Sequence, residues 1–267
     1  MQLRVSSTRH LNNAGFFYAS YSSLPEERKA TVDKLRNDAD KFRSITAGEL
    51  LLDAFLDSYP KLSAEDIGGI GYGEHGKPYL INYPEWKYNL SHSGEYVAIA
   101  YDDTPIMSVY ADADRQELSG HNFLPSEVTE IGVDIQSTRK ISEGVANKIL
   151  TAEELACIDK DTSECQPLLN ALWSVKEAYI KFIGVGLSFD MKKVKIDATK
   201  SVFNSINSLV CADDRSLNEY VDMLLISSDS DYPDACCRYF HMEDGYHLSV
   251  CSGTDSLPYN ITIVSAG

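Results

Sequence analysis

Residues 168–183 read LLNALWSVKEAYIKFI, and the apolar residues in this stretch recur at helical spacing. Leu168, Leu172, Val175, Tyr179 and Ile183 form a stripe that faces a core. Trp173, Glu177 and Lys181, four residues apart, share a neighbouring stripe. The spacing predicts a helix over Gln166–Ile183. Taken alone, Glu177 and Lys181 read as a surface i,i+4 ion pair worth about 0.3–0.5 kcal/mol. Chemistry at this helix requires a second carboxylate and an anion site from elsewhere in the chain.

Working outward, Gly132-Val-Asp134-Ile-Gln136 alternates as a strand does, with Asp134 and Gln136 on one face. A strand carboxylate near a helix carboxylate is the oxygen-rich setting that magnesium accepts, with water and substrate phosphates completing the shell. A merely solvated polar face is the plainer reading of the same pattern. Asn89-Leu-Ser91-His92-Ser93-Gly94 places hydroxyls, an imidazole and a glycine at the mouth of the apolar run Tyr96–Tyr101. These groups either donate to phosphate oxygens or cap a turn. The segment is not a Gly-x-Ser-x-Gly nucleophile elbow. Gly76-Lys77-Pro78 offers a lysine in a rigid turn but lacks the glycine spacing of a phosphate-cradling Walker loop. Thr151-Ala-Glu-Glu154 is a capping box with a structural role. His121 and His247 have no evident partners.

Two stretches share one order of elements. The first has a predicted helix over 39–59, with Leu50, Leu51, Ala54, Phe55 and Leu56 on its apolar side. It ends at Pro60 and precedes a glycine-rich segment and the strand Tyr96–Tyr101. The second has the 166–183 helix, then strands at 193–196, 221–226 and 246–251. EYVAIAYDD (95–103) and GYHLSVCSG (245–253) match in pattern and suggest an internal duplication. The polar segment 107–130 reads as an inserted loop between an N-terminal half, 1–106, and a C-terminal half, 131–267.

Composition narrows the function classes. With 267 residues, 43% hydrophobic and 24% charged, the chain has the make-up of a globular protein. Its opening lacks a signal-peptide h-region, and no apolar run approaches the roughly 18 residues needed to span a bilayer. The expectation is a cytoplasmic protein without membrane contact. Six cysteines without paired Cys-x-x-Cys spacing read as reduced thiols and disfavour structural zinc. A net charge of −16 leaves no broad basic face for nucleic acid. An anionic ligand must therefore be held by a local cluster of cations.

GKPYL, YNLSHS, IGVDIQ and WSVKEAYIKFIGVGLS, in that order, resemble the phosphopantetheinyl transferases of the Sfp type, in the branch with tryptophan and Lys-Glu-Ala in its final motif. The resemblance implies an α+β fold of two pseudo-symmetric α/β halves with the active site between them. It implies transfer of the 4'-phosphopantetheine group of coenzyme A to a serine of an apo acyl or peptidyl carrier protein, with magnesium and release of 3',5'-ADP. Asp134 and Glu177 match the acidic metal ligands, Glu177 also being placed as a base, and Lys181 matches the lysine at the coenzyme A pyrophosphate. His92, Ser91, Lys77 and Arg43 match positions that hold the nucleotide and its phosphates, and Arg28 extends that cluster. Gln136 stands where many relatives carry a third acidic ligand. A neutral amide binds magnesium more weakly, so water fills that place or affinity falls, and Gln136→Glu is expected to tighten the metal. The competing expectation is a non-catalytic coenzyme A-binding homologue. With both halves in one chain, a monomer suffices.

Overall fold

The computed structural model describes residues 1–103, 130–158, 165–212 and 217–264. Apart from Glu130, the 107–130 segment lies outside these residues, as does His121. The fold is α+β and is built on two antiparallel-rich sheets. Strand β1 (Gln2–Ser7) is followed by helices α1 (Ala14–Ser23), α2 (Glu26–Asp33) and α3 (Asp38–Ser58). The hairpin of β2 (Ile70–Tyr72) and β3 (Pro78–Leu80) leads to β4 (Tyr88–Ser93) and β5 (Tyr96–Tyr101). Then come β6 (Ile131–Ser137), α4 (Glu143–Ile149), α5 (Ala152–Ala156) and α6 (Cys165–Ile183). The chain closes with β7 (Val194–Ile196), α7 (Thr199–Cys211), β8 (Tyr220–Ser227), β9 (Ala235–Met242), β10 (Tyr246–Ser252) and β11 (Thr262–Val264).

One sheet has the order β11-β1-β5-β4 and the other β6-β10-β9-β8-β7. The last strand returns to the first sheet, where β11 pairs in parallel with β1. The two sheets face each other: Leu3, Val5, Ala98 and Ala100 of the first share a core with Ile131, Val133, Ile135, Leu248 and Val250 of the second. Helix α3 covers the other side of the first sheet through Leu50, Leu51, Ala54 and Phe55, packed with Val97, Ile99 and Tyr101. Helix α6 covers the other side of the second sheet through Leu172, Val175, Ala178 and Tyr179. Strand alternation sends every second side chain to each of these cores.

The expected helices and strands fall within a residue or two of their places. Asn89–Ser93, which could have been a turn, is part of a strand, with Gly94 in the left-handed region at the turn that follows. Gly132 decides how closely α6 sits on the second sheet. A Cβ there would lie 2.0 Å from the Ala178 carbonyl oxygen and 2.4 Å from the Phe182 nitrogen. Helix and strand are therefore in backbone contact. Gly184, at a φ of 73°, marks the end of α6.

Candidate functional site

The free edges of the two sheets meet at β4 and β6. The side chains of Asn89, Ser91 and Ser93 accept hydrogen bonds from the backbone N–H groups of Val133, Ile135 and Ser137, at 2.9, 3.2 and 3.0 Å. An edge strand with open N–H groups is normally a liability, and here side chains close it. This seam brings one face of β6 against α6 and the middle of β4.

Asp134 projects from β6 into that junction. Its Oδ1 accepts from Lys181 Nζ at 2.7 Å and from Ser91 Oγ at 3.0 Å, and Lys181 Nζ also donates to Ser91 Oγ at 2.8 Å. Lys181 thus pairs with Asp134, and no Lys181–Glu177 ion pair forms among the described residues. Glu177 is buried rather than on the surface. Burial, with the Asp134 charge nearby, pushes its carboxyl up to about 7, while Lys181 and Arg139 act in the opposite sense. Burial likewise raises the Asp134 carboxyl, opposed chiefly by Lys181.

Asp134 Oδ2 and Glu177 Oε1 are buried and have no hydrogen-bond partner among the described residues. Such oxygens are unfavourable unless a cation or donor completes them. Gln136 lies on the same face of β6 and is also buried, so its amide could add a third oxygen. No group of three or more His, Cys, Asp or Glu side chains suited to a metal occurs among the described residues. Magnesium, which keeps its waters and commonly uses one or two carboxylates, does not require one.

The other expected residues spread around this centre. His92 is the residue after Ser91 on β4. Desolvation, Arg43 and Lys181 lower its pKa, in that order. Arg43 is paired with Asp40 and donates to the Gly94 carbonyl at 3.1 Å. Lys77 and Lys181 line one cavity of about 220 Å³ together with Gly76, Asn89, Ile180 and Gly184. Lys77 also donates to the Phe182 carbonyl at 3.0 Å and pairs with Glu130 at 2.7 Å. Arg28 lines a separate cavity of about 390 Å³, with its guanidinium on the Ser44 carbonyl at 2.7 Å. The structure thus brings Asp134, Glu177, Lys181 and Ser91 together. His92, Arg43 and Lys77 surround them, and Arg28 stands apart.

Two residues near the site were missed in the sequence. Arg139 lies over the Trp173 ring, its guanidinium carbon 4.6 Å from the centroid, and acts electrostatically on both carboxylates. Trp173 is therefore the platform for a cation. Asn170 accepts from Gln136 Nε2 at 3.2 Å and is itself tied to both the N–H and the carbonyl of Arg139. Neither carries a motif signal. His247 also has partners after all: Tyr239 and Thr138 hydrogen-bond to its ring at 2.8 and 3.0 Å, and burial pulls its pKa down to about 3.

Residues 130–251 match the model of the 4'-phosphopantetheinyl transferase superfamily, and residues 13–104 match that of the 4'-phosphopantetheinyl transferase N-terminal region. The chain belongs to the 4'-phosphopantetheinyl transferase family. It is 24% identical to the 4'-phosphopantetheinyl transferase Sfp of Bacillus subtilis, over 91% of this chain and 88% of the relative. It is 28% identical to psf-1 of Bacillus pumilus, another 4'-phosphopantetheinyl transferase, over 62% of this chain and 60% of that one. The L-aminoadipate-semialdehyde dehydrogenase-phosphopantetheinyl transferase of Candida glabrata is 28% identical over 46% of this chain and 42% of its own length. No helix among the described residues is long and apolar enough to cross a membrane.

Proposed function

We propose that this chain transfers the 4'-phosphopantetheine group of coenzyme A to the serine of an apo acyl or peptidyl carrier protein, releasing 3',5'-ADP. The observation that carries this reading within the family is the pair of partnerless oxygens on Asp134 and Glu177 beside Lys181 at the seam of the two sheets. These two carboxylates would hold magnesium, with Gln136 present directly or through water. When bound, the metal would neutralise pyrophosphate charge. Lys181 supplies a fixed cation at the same place, and His92, Arg43 and Lys77 offer donors to the nucleotide and its phosphates. Arg28, which lines the separate cavity, is left out of this set. Glu177, directly or through a water, would take the proton from the attacking serine. The serine oxygen then bonds to the β-phosphorus, and the bond to the α–β bridging oxygen breaks.

All six cysteines are free, which fits a reducing compartment such as the cytosol. Both strands of the seam, β4 and β6, belong to the same chain, so a monomer would suffice. The deciding experiment is incubation with coenzyme A, magnesium and an apo carrier, read by mass spectrometry for phosphopantetheine on the carrier serine. Tight coenzyme A binding without transfer to any carrier type would instead indicate a non-catalytic binding protein.

Two further outcomes are expected at the carboxylates. Glu177 has a reference value of 4.5 and a folded value of about 7. Between these pH values the folded state binds more protons than the unfolded state, so stability falls as pH rises. Metal-free protein is expected to lose ~3 kcal/mol between pH 4 and pH 8 from this group. Magnesium should restore much of it, as urea unfolding with and without chelator would show. The second outcome concerns Gln136→Glu. A carboxylate at 136 would face the Asn170 carbonyl oxygen, and Asn170 cannot flip without losing its bonds to Arg139 and Gln166. The variant should be less stable without metal by about 1–3 kcal/mol yet bind magnesium more tightly. An unchanged metal titration would remove residue 136 from the metal's surroundings.

A further inference from the structure

Ser91 was expected among the residues that hold substrate phosphate, but its hydroxyl has no capacity left for that. A hydroxyl has one proton to donate and two lone pairs to accept. Ser91 Oγ donates to Asp134 Oδ1 at 3.0 Å and accepts from the Ile135 N–H at 3.2 Å and from Lys181 Nζ at 2.8 Å. All three positions are filled within the protein. Because one of the three partners is the backbone of β6 itself, the hydroxyl ties the carboxylate and the lysine to the strand that carries Asp134.

We infer that Ser91 is a positioning residue, whose hydroxyl fixes the Asp134 carboxylate and Lys181 in place, and not a ligand of the coenzyme A phosphates. With Oδ1 of Asp134 held by Ser91 and Lys181, Oδ2 is left as the oxygen that points to a cation. The inference rests on the proposed metal role of Asp134. It assigns Ser91 a duty its ladder neighbours lack: Ser93 makes the same kind of bond, to the Ser137 N–H at 3.0 Å, and also lies 3.4 Å from the Ser137 hydroxyl. It therefore serves as an internal control that weakens the seam without touching Asp134.

The test measures Mn²⁺ binding by electron paramagnetic resonance without coenzyme A, and separately the KM for coenzyme A at saturating magnesium. Loss of a residue that orients a metal ligand typically weakens metal binding 10–100-fold. Ser91→Ala should raise the Mn²⁺ Kd at least about tenfold and change the coenzyme A KM far less. Ser91→Thr, which keeps the hydroxyl, should recover most of the affinity. Ser93→Ala should lower the melting temperature and leave the Mn²⁺ Kd unchanged. If Ser91→Ala does not fold, Ser91→Cys fills the space with a weak hydrogen-bonding group and carries the same comparison. The inference is overturned if Ser91→Ala raises the coenzyme A KM with Mn²⁺ affinity intact, or if Ser93→Ala weakens Mn²⁺ equally. Either result, in a wild-type protein that still modifies its carrier, leaves the proposed transfer standing. Absence of transfer by the wild type would defeat that reading separately.

Discussion

Glu177→Gln is expected to lower the turnover of phosphopantetheine transfer by about a thousandfold, within the range that removal of a general base produces. The glutamine keeps the size of the side chain and a carbonyl oxygen, so the helix and its packing should survive. It removes the group that takes the serine proton and halves the pair of carboxylates at the seam. Stability should move the other way. The buried carboxyl resists ionisation, with a pKa near 7 in the absence of metal, so its neutral replacement relieves a penalty at pH 8. The variant should unfold at a higher urea concentration than the metal-free wild type at that pH, and its stability should no longer decline between pH 4 and 8 on this account. Near-normal transfer by the variant would reject Glu177 as the base. Unchanged wild-type activity after complete removal of divalent metal would reject the metal role.

The second large effect lies away from the chemistry. Lys176 precedes Glu177, about 100° round α6 from it, and is fully buried against Glu154 at 2.7 Å. Its ammonium also donates to the carbonyls of Val194 at 2.9 Å and Met191 at 3.3 Å. Glu154 completes the capping box with the Thr151 N–H and accepts from the Ile196 N–H. This ion pair joins α5, α6 and the start of β7. Lys176→Met should cost about 3–5 kcal/mol, because it strands a buried carboxylate and two carbonyls. Adding Glu154→Gln should restore a good part of that by removing the stranded charge, since a neutral pair of similar volume is often tolerated. Guanidinium unfolding of both variants checks this. A single variant within 1 kcal/mol of wild type would mean that water reaches the pair.

The sequence made the central elements legible where one residue type had one physical meaning. The α6 stripe, the strands β5 and β10 and the Thr151 capping box all appear as expected. Helix α7 was not anticipated, although Val202, Phe203, Ile206, Leu209 and Val210 recur at helical spacing. It begins at Ala198, in a left-handed conformation without a side-chain cap, so no start signal announces it. At the site, residue identities were readable and their pairings were not. Lys181 had an in-helix partner available in Glu177, yet it pairs with Asp134 of β6, the strand that α6 approaches at Gly132. Asn89, Ser91 and Ser93 admit either a phosphate site or a turn in the sequence, because the bonds they make to β6 have no sign there. Arg139 and Asn170 act through tertiary proximity alone.

The contact at Gly132 has a consequence for how this protein tolerates change. Most helix–sheet spacings depend on the bulk of the intervening side chains, so each core substitution shifts them by fractions of an ångström. Here main chain rests on main chain, two residues from Asp134 on β6 and at Ala178 and Phe182, which follow Glu177 and Lys181 on α6. The spacing of the reacting groups is thereby insulated from drift in the surrounding core. The layers can exchange their apolar residues over time while the separation of the two carboxylates stays where the peptide backbone sets it.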